Sequence, residues 1–230
     1  MTVLAIDSSG AAASAAVTDD EKLLSSFSVA SAEKHSATLL PMAERALECA
    51  GKKISDVDLF AVVAGPGSFT GVRIGVSLVK GLAFGSGKPI ASVSSLEALA
   101  YNLCGFDGIA CPVMDARRGQ FYNALFRGGK RLTGDRLIPA AELEKELAAY
   151  DCPVYMTGDG YALARSLIRA DNIRETPHRL TVSDAYSAAV CGLNNYRAGR
   201  EIYTDETLQP VYLRPSQAER TRNERTKENG

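Results

Sequence analysis

The sequence predicts an α/β protein built from two related halves, and three observations carry that expectation. Leu59–Ala64 is a valine-rich apolar run of strand length, Gly65-Pro66-Gly67 breaks it, and the segment from Ser68 or Thr70 to about Phe84 reads as a helix. The N-terminus carries two successive hairpin patterns, which implies a mixed sheet. The second half repeats the order of the first without repeating its sequence: strand ending in Asp, turn, hairpins, helix, strand, glycine turn, helix.

Taken in order, Thr2–Asp7 reads as a buried strand ending in an acid, Ser8-Ser9-Gly10 as a turn, Ala11–Val17 as a second strand and Lys22–Val29 as a third. An acid followed by small residues at a hairpin suits the first phosphate loop of an ATPase, or a turn that Asp7 and Ser8 merely cap. Ser36–Ala50 is a helix with a stripe of Leu39, Met42, Ala43, Ala46, Leu47 and Ala50, and Gly51 stops it. His35, just before it, either faces a ligand or packs at the helix start.

On the next helix Thr70, Arg73, Ser77 and Lys80 share one polar strip, which is either a contact surface or an ordinary solvated face. Gly71 and Gly75 lie opposite it, and Gly81 and Gly85 form a second pair. Glycine is a poor helix former, so four of them imply close approach of another backbone and a helix buried on most sides. Pro89–Val93 is a strand, and Ser94 with Glu97 forms a capping box for a helix Leu96–Leu103.

A boundary near Gly105–Gly108 divides the chain into units 1–104 and 105–213. Ile109–Met114 is then a strand ended by Asp115, and Ala116-Arg117-Arg118-Gly119 a basic turn that either meets RNA phosphates or decorates a hairpin and meets a partner. Hairpins over Gln120–Phe126 and Lys130–Ile138, a helix Glu142–Tyr150, a strand Pro153–Met156 and helices Tyr161–Arg169 and Asp184–Tyr196 follow. Residues 214–230 lose the apolar period and read as a polar, flexible tail.

Composition narrows the function. With 26 basic against 27 acidic residues the net charge is −1, without the basic excess of a free-standing nucleic-acid binder. No apolar run approaches a membrane span, and MTVLAIDSSG is a strand rather than a signal peptide. The five cysteines are scattered without a C-x-x-C pair, as expected of reduced core residues in a cytoplasmic protein. The two histidines, His35 and His178, lack metal-ligand spacing, and no G-x-S-x-G elbow exists. Two nucleotide motifs nearly fit and fail: Thr70 stands where G-x-G-x-x-G needs its third glycine, and Gly87-Lys88 has Leu82 in place of the first Walker glycine.

LAIDSS, HSATLLP, AGPGSFTGVRIGVSLVKGLA, VSSLEALA, DARRGQFY and VYLRP, in that order, resemble the TsaB (YeaZ) family of the bacterial threonylcarbamoyladenosine pathway, from about Thr2 to Pro215. The resemblance implies an actin-like (ASKHA, hexokinase/Hsp70 superfamily), ribonuclease H-like fold of two related βββαβα-type subdomains. It implies a non-catalytic subunit for N6-threonylcarbamoylation of adenosine 37 in tRNAs reading ANN codons. Its partners would be a TsaD-like paralogue carrying the metal and active site and a TsaE-like ATPase, with a homodimer when isolated, assembly through helices of the first subdomain, and tRNA reached through the complex.

Where catalytic relatives carry two metal-binding histidines, this chain has Ser95 and Leu99, and Asp-Ser-Ser-Gly departs from the D-x-G-[TG] phosphate loop. No catalytic residue, metal or intrinsic cofactor is expected, and ATP or ADP only at a partner interface. The candidate contacts, at an interface or in the cleft, are Asp7, Ser9, His35, Gly65, Gly67, Ser68, Phe69, Thr70, Arg73, Ser77, Lys80, Asp115, Arg117 and Arg118. The alternative is an ATPase or sugar-kinase relative in which Asp7 and Asp115 hold Mg²⁺-phosphate across a cleft. An M22-type metallopeptidase lacks its ligands.

Overall fold

The computed structural model describes residues 1–30 and 35–214, so the expected tail lies outside the described residues from 215 onward. The first half runs β1 (Thr2–Asp7), β2 (Ala13–Asp19), β3 (Lys22–Val29), α1 (His35–Cys49), β4 (Leu59–Gly65), α2 (Phe69–Ala83), β5 (Ile90–Ser94) and α3 (Ser95–Tyr101). The second runs β6 (Ile109–Asp115), β7 (Gln120–Asn123), β8 (Phe126–Arg127), β9 (Lys130–Arg131), β10 (Arg136–Pro139), α4 (Ala140–Ala148), β11 (Val154–Thr157), α5 (Tyr161–Leu167), β12 (Ile173–Arg174), α6 (Ala185–Arg197) and β13 (Ile202–Tyr203).

These strands form two mixed sheets of matching order. The first is β13-β5-β4-β1-β2-β3 and the second β10-β7-β6-β11-β12, with the β8–β9 hairpin also on β6. In the first, β4 pairs parallel with both β1 and β5, and β2 and β3 are antiparallel. In the second, β6, β11 and β12 are parallel and β7 and β10 antiparallel. The N-terminal hairpins and the fold-order repeat are both present.

Every residue of β1 and β4 is buried, because the parallel core of each sheet is covered on both faces. Leu4 and Ile6 face the layer of α1 and α2, whereas Val3 and Ala5 face the opposite layer. That opposite layer is where the chain departs from the expected boundary. Leu96, Leu99 and Leu103 pack with Met114 and Phe126 of the second sheet, and α6 lays Ala185, Ala188 and Ala189 on the first. The division near residue 105 therefore separates β1–β5 from β6–β12, while α3 and α6 cross it and β13 returns to the edge of β5. Small residues allow the crossing: a Cβ on Gly192 would lie 2.7 Å from Ala61.

Other differences are local. The turn after β1 is longer than expected, so β2 starts at Ala13; the segment Gln120–Phe126 breaks into β7 and β8 and Lys130–Ile138 into β9 and β10, with β8 pairing β9 and β7 pairing β10. β12 and β13 are two-residue edge strands, too short for a period to show. Cys111 and Cys191 are core thiols, and burial pushes Cys111 up to about 12, but Cys49 and Cys104 are exposed.

The glycines of α2 divide into two kinds. A Cβ on Gly71 would overlap the Ser8 carbonyl, and one on Gly75 would lie 2.7 Å from Ser8 Oγ. Gly81 and Gly85 meet nothing within 4 Å, against expectation, and Gly85 stands past the helix with φ +66°. Arg73, Ser77 and Gly81 are exposed, so in the single chain this helix is covered by the sheet, α1 and the returning segment at Leu208 and is open on its outer side, not buried on most sides. Gly71→Ala is expected to destabilise the chain by about 1–3 kcal/mol in urea unfolding. Gly81→Ala, in open space, is expected to stabilise it by about 0.5–1 kcal/mol.

Candidate functional site

The site begins where two turns interlock. Ser68 N–H donates to the Ser9 carbonyl at 2.8 Å and Ser8 Oγ donates to the Gly71 carbonyl at 2.8 Å. Gly67 lies directly against the Ser9 carbonyl, Gly65 against that of Val211, and Ser95 Oγ donates to the Pro66 carbonyl. Ser68 is also the N-cap of α2, accepting the Gly71 N–H at 3.2 Å. The glycine turn is thus filled by the chain's own backbone, whereas a phosphate loop must keep its amides free for the ligand.

Asp7 is 1 % exposed. Its Oδ1 accepts the Ser9 N–H at 2.8 Å and Ser9 Oγ–H at 2.7 Å, and Oδ2 accepts Ser183 Oγ–H from the segment leading into α6. Burial pushes its carboxyl above the ordinary range despite these three donors. Asp115 closes its own turn, accepting the Arg117 N–H at 2.7 Å on Oδ1 and lying 3.4 Å from Arg117 Nη1 through Oδ2. Both acids sit at matching strand ends, as the ATPase alternative requires, but each is occupied within its own half or by the latch to Ser183.

The cleft beside Asp7 has a volume of about 250 Å³, with Leu99, Met114 and Val182 in its apolar walls. That is below the roughly 300–1,000 Å³ usual for small-molecule sites. Among the described residues no group of three His, Cys, Asp or Glu side chains could hold a metal ion. His35 Nε2 lies 3.3 Å from the Gly10 carbonyl at the start of α1, the packing position.

The polar strip of α2 is largely used within the chain. Lys80 Nζ donates to the Leu208 carbonyl at 3.1 Å, and Arg73 Nε to Tyr212 Oη at 2.7 Å. Phe69 stacks on Tyr212 at 4.8 Å, with the Arg73 guanidinium 3.7 Å over Phe69. Thr70 and Ser77 remain exposed. Ser183, Tyr212 and Arg214 escaped the sequence reading. VYLRP carries two of them, but nothing in its spacing says that it returns to α2.

A second feature lies on the outer face of the first sheet. Leu40 of α1, Ile54 of a short 3₁₀ turn and Phe84 at the end of α2 are exposed by 41 %, 42 % and 81 %. Leu40, Leu47, Ile54 and Leu82 line a groove of about 410 Å³ between these elements.

Comparison with known proteins places this architecture. The family model described as TsaD, tRNA N6-adenosine threonylcarbamoyltransferase, matches residues 28–220. The tRNA threonylcarbamoyladenosine biosynthesis protein TsaB of Bacillus subtilis (strain 168) is 32% identical over 223 residues, 95% of this chain and 96% of that one. The chain belongs to the TsaB (YeaZ) family. YeaZ from Pseudomonas aeruginosa superposes with a TM-score of 0.78 at 28% identity, covering 92% of this chain and 99% of that one. A ROK hexokinase from Thermus thermophilus shares the fold alone, with a TM-score of 0.51 at 14% identity over 85% of this chain and 100% of that one. The fold is thus the actin-like ASKHA fold with ribonuclease H-like mixed sheets.

The raised pKa of Asp7 fixes a sign. A carboxyl that holds its proton more tightly folded than unfolded contributes stability below the ordinary value near 4, and loses it as pH rises through its folded pKa. Asp7→Asn keeps the hydrogen-bonding shape without the charge. Urea unfolding between pH 4 and pH 7 is expected to show the wild type losing stability relative to Asp7→Asn. A constant difference across that range would mean that Asp7 is an ordinary satisfied carboxylate.

Proposed function

We propose that this chain is the non-catalytic scaffold subunit for N6-threonylcarbamoylation of adenosine 37 in tRNAs reading ANN codons, working in the cytoplasm. It pairs with a TsaD-like paralogue that supplies the metal and active site, acts with a TsaE-like ATPase, and forms a homodimer when the paralogue is missing. The observation that carries this reading is the outer face of α1 and α2, where Leu40 and Ile54 stand in water along a groove and Phe84 is exposed at the end of α2. Large exposed apolar side chains grouped in this way mark association surfaces. The open surface at Gly81 belongs to the same helix and lets a partner approach closely.

The occupied turns support the non-catalytic half of the reading. A kinase or ATPase needs its strand-end acids free for Mg²⁺ and its glycine amides free for phosphate. Here Asp7 is held by Ser9 and Ser183, and the Ser68 amide by Ser9. Calorimetry with Mg-ATP on the isolated chain is therefore expected to show no binding tighter than millimolar. Binding in the micromolar range, abolished by Asp7→Asn, would establish the ATPase alternative instead.

The association surface has its own test. Leu40→Glu with Phe84→Glu places two charges on exposed positions and is expected to leave the melting temperature within a few degrees. Co-purification with the paralogue, and tRNA modification by the reconstituted set, are expected to fall at least tenfold. Transfer activity from the wild-type chain alone would overturn the scaffold reading.

A further inference from the structure

We infer that the surface formed by Arg117, Arg118, Arg214, Arg73 and the Phe69–Tyr212 pair is a direct contact surface for the phosphate backbone of RNA. This inference rests on the threonylcarbamoyladenosine reading above and revises one part of it, because there tRNA is reached only through the partner.

The first observation is a backbone one. Arg117, Arg118 and Gly119 adopt φ values of +67°, +57° and +68° in succession. The left-handed region costs an ordinary side chain about 1–2 kcal/mol per residue, and glycine or asparagine fills it more cheaply. Two consecutive arginines there hold their guanidiniums outward at an energetic cost, on a turn fixed by Asp115 and by the Gln120 N–H donating to the Arg117 carbonyl at 3.2 Å. Both are exposed; Asp115 lies 3.4 Å from Arg117, and Asp159, whose Oδ1 accepts the Asp115 N–H at 3.3 Å, also feels the Arg117 charge, so the turn holds two arginines against two carboxylates and Arg118 forms no salt bridge among the described residues.

Contiguity is the second observation. Arg214 Nη1 donates to the carbonyl of Ala116, the residue before this turn, at 2.7 Å. Two residues back along the same segment, at most about 7 Å of chain, Tyr212 stacks on Phe69 and accepts from Arg73. Only Nε of Arg73 is engaged in that bond, and among the described residues the side chain forms no salt bridge. Four arginines and an aromatic pair are therefore joined through one segment, with Asp115 and Asp159 as the carboxylates beside the turn. An acidic peptide would need only the charges. Arginines alternating with a stacked aromatic pair fit a polyanion that also carries flat bases, as single-stranded and looped RNA do.

The test uses an unmodified transfer RNA transcript, titrated against the full chain and against its complex with the paralogue at several salt concentrations. Asparagine tolerates the left-handed turn, so Arg117→Asn with Arg118→Asn is expected to keep or raise the melting temperature. RNA affinity is expected to drop about tenfold near 0.1 M salt, and the slope of log K against log salt to shrink by roughly 1.4 for two lost phosphate contacts. Arg117→Lys with Arg118→Lys is expected to retain most of the binding. The inference is overturned if the asparagine variant binds with wild-type affinity and slope, if neither wild-type form binds RNA, or if the variant loses the paralogue instead. Co-purification is scored separately, so a failed partner reading and a failed RNA reading give different results.

Discussion

Two carbonyl groups, those of Ser8 and Ser9, set the geometry on which the first sheet depends. The Ser9 oxygen receives the Ser68 amide, and the Ser8 oxygen lies where a side chain on Gly71 would have to go. Through these contacts the end of β1 fixes the start of α2, and α2 in turn fixes the face that α1 packs against. The glycines of the turn are spaced for this fit. That is why the segment looks like a nucleotide loop and meets neither motif: its Ser68 and Gly71 amides answer to protein oxygens instead of phosphate oxygens.

The same economy of space explains the closed cleft. An actin-like fold presents two matching strand ends to each other, and in this chain they are Asp7 and Asp115. Each acid is consumed by the turn that follows it, and Ser183 adds a hydrogen bond across from the far half. Leu99, Met114 and Val182 line the narrow space that remains beside this latch. The exposed apolar side chains Leu40, Ile54 and Phe84 lie instead on the outer side, on and beside α1 and α2.

Much of this was legible in the chain itself. The apolar runs at Thr2–Asp7, Leu59–Ala64 and Ile109–Met114 announce the parallel strands, because residues buried on both faces leave no polar alternation. The cap at Ser68 and the stop at Gly51 are local signals and fall within a residue or two of the helix ends. The exchange of α3 and α6 between sheets was not legible, since an apolar stripe states that a helix is covered but not by what. Nor was the latch: Ser183 is one serine among many until the fold sets it against Asp7. Arg117 and Arg118 stood out as a basic turn, while their left-handed backbone belongs to three dimensions only.

The return of the chain's last described segment to the first sheet bears on how the protein is made. β13 zips onto β5, Lys80 grips the carbonyl of Leu208, and Val211 N–H reaches the Ala64 carbonyl at 2.7 Å. On the ribosome, β1 through β5 therefore emerge without the helix that covers one face or the strand that protects one edge. At roughly 5–20 residues per second, that half waits roughly 5–20 s for the rest of the chain. During that interval an apolar face of Val3, Ala5, Ala61 and Val63 stands uncovered, and nascent-chain chaperones have a defined surface to hold.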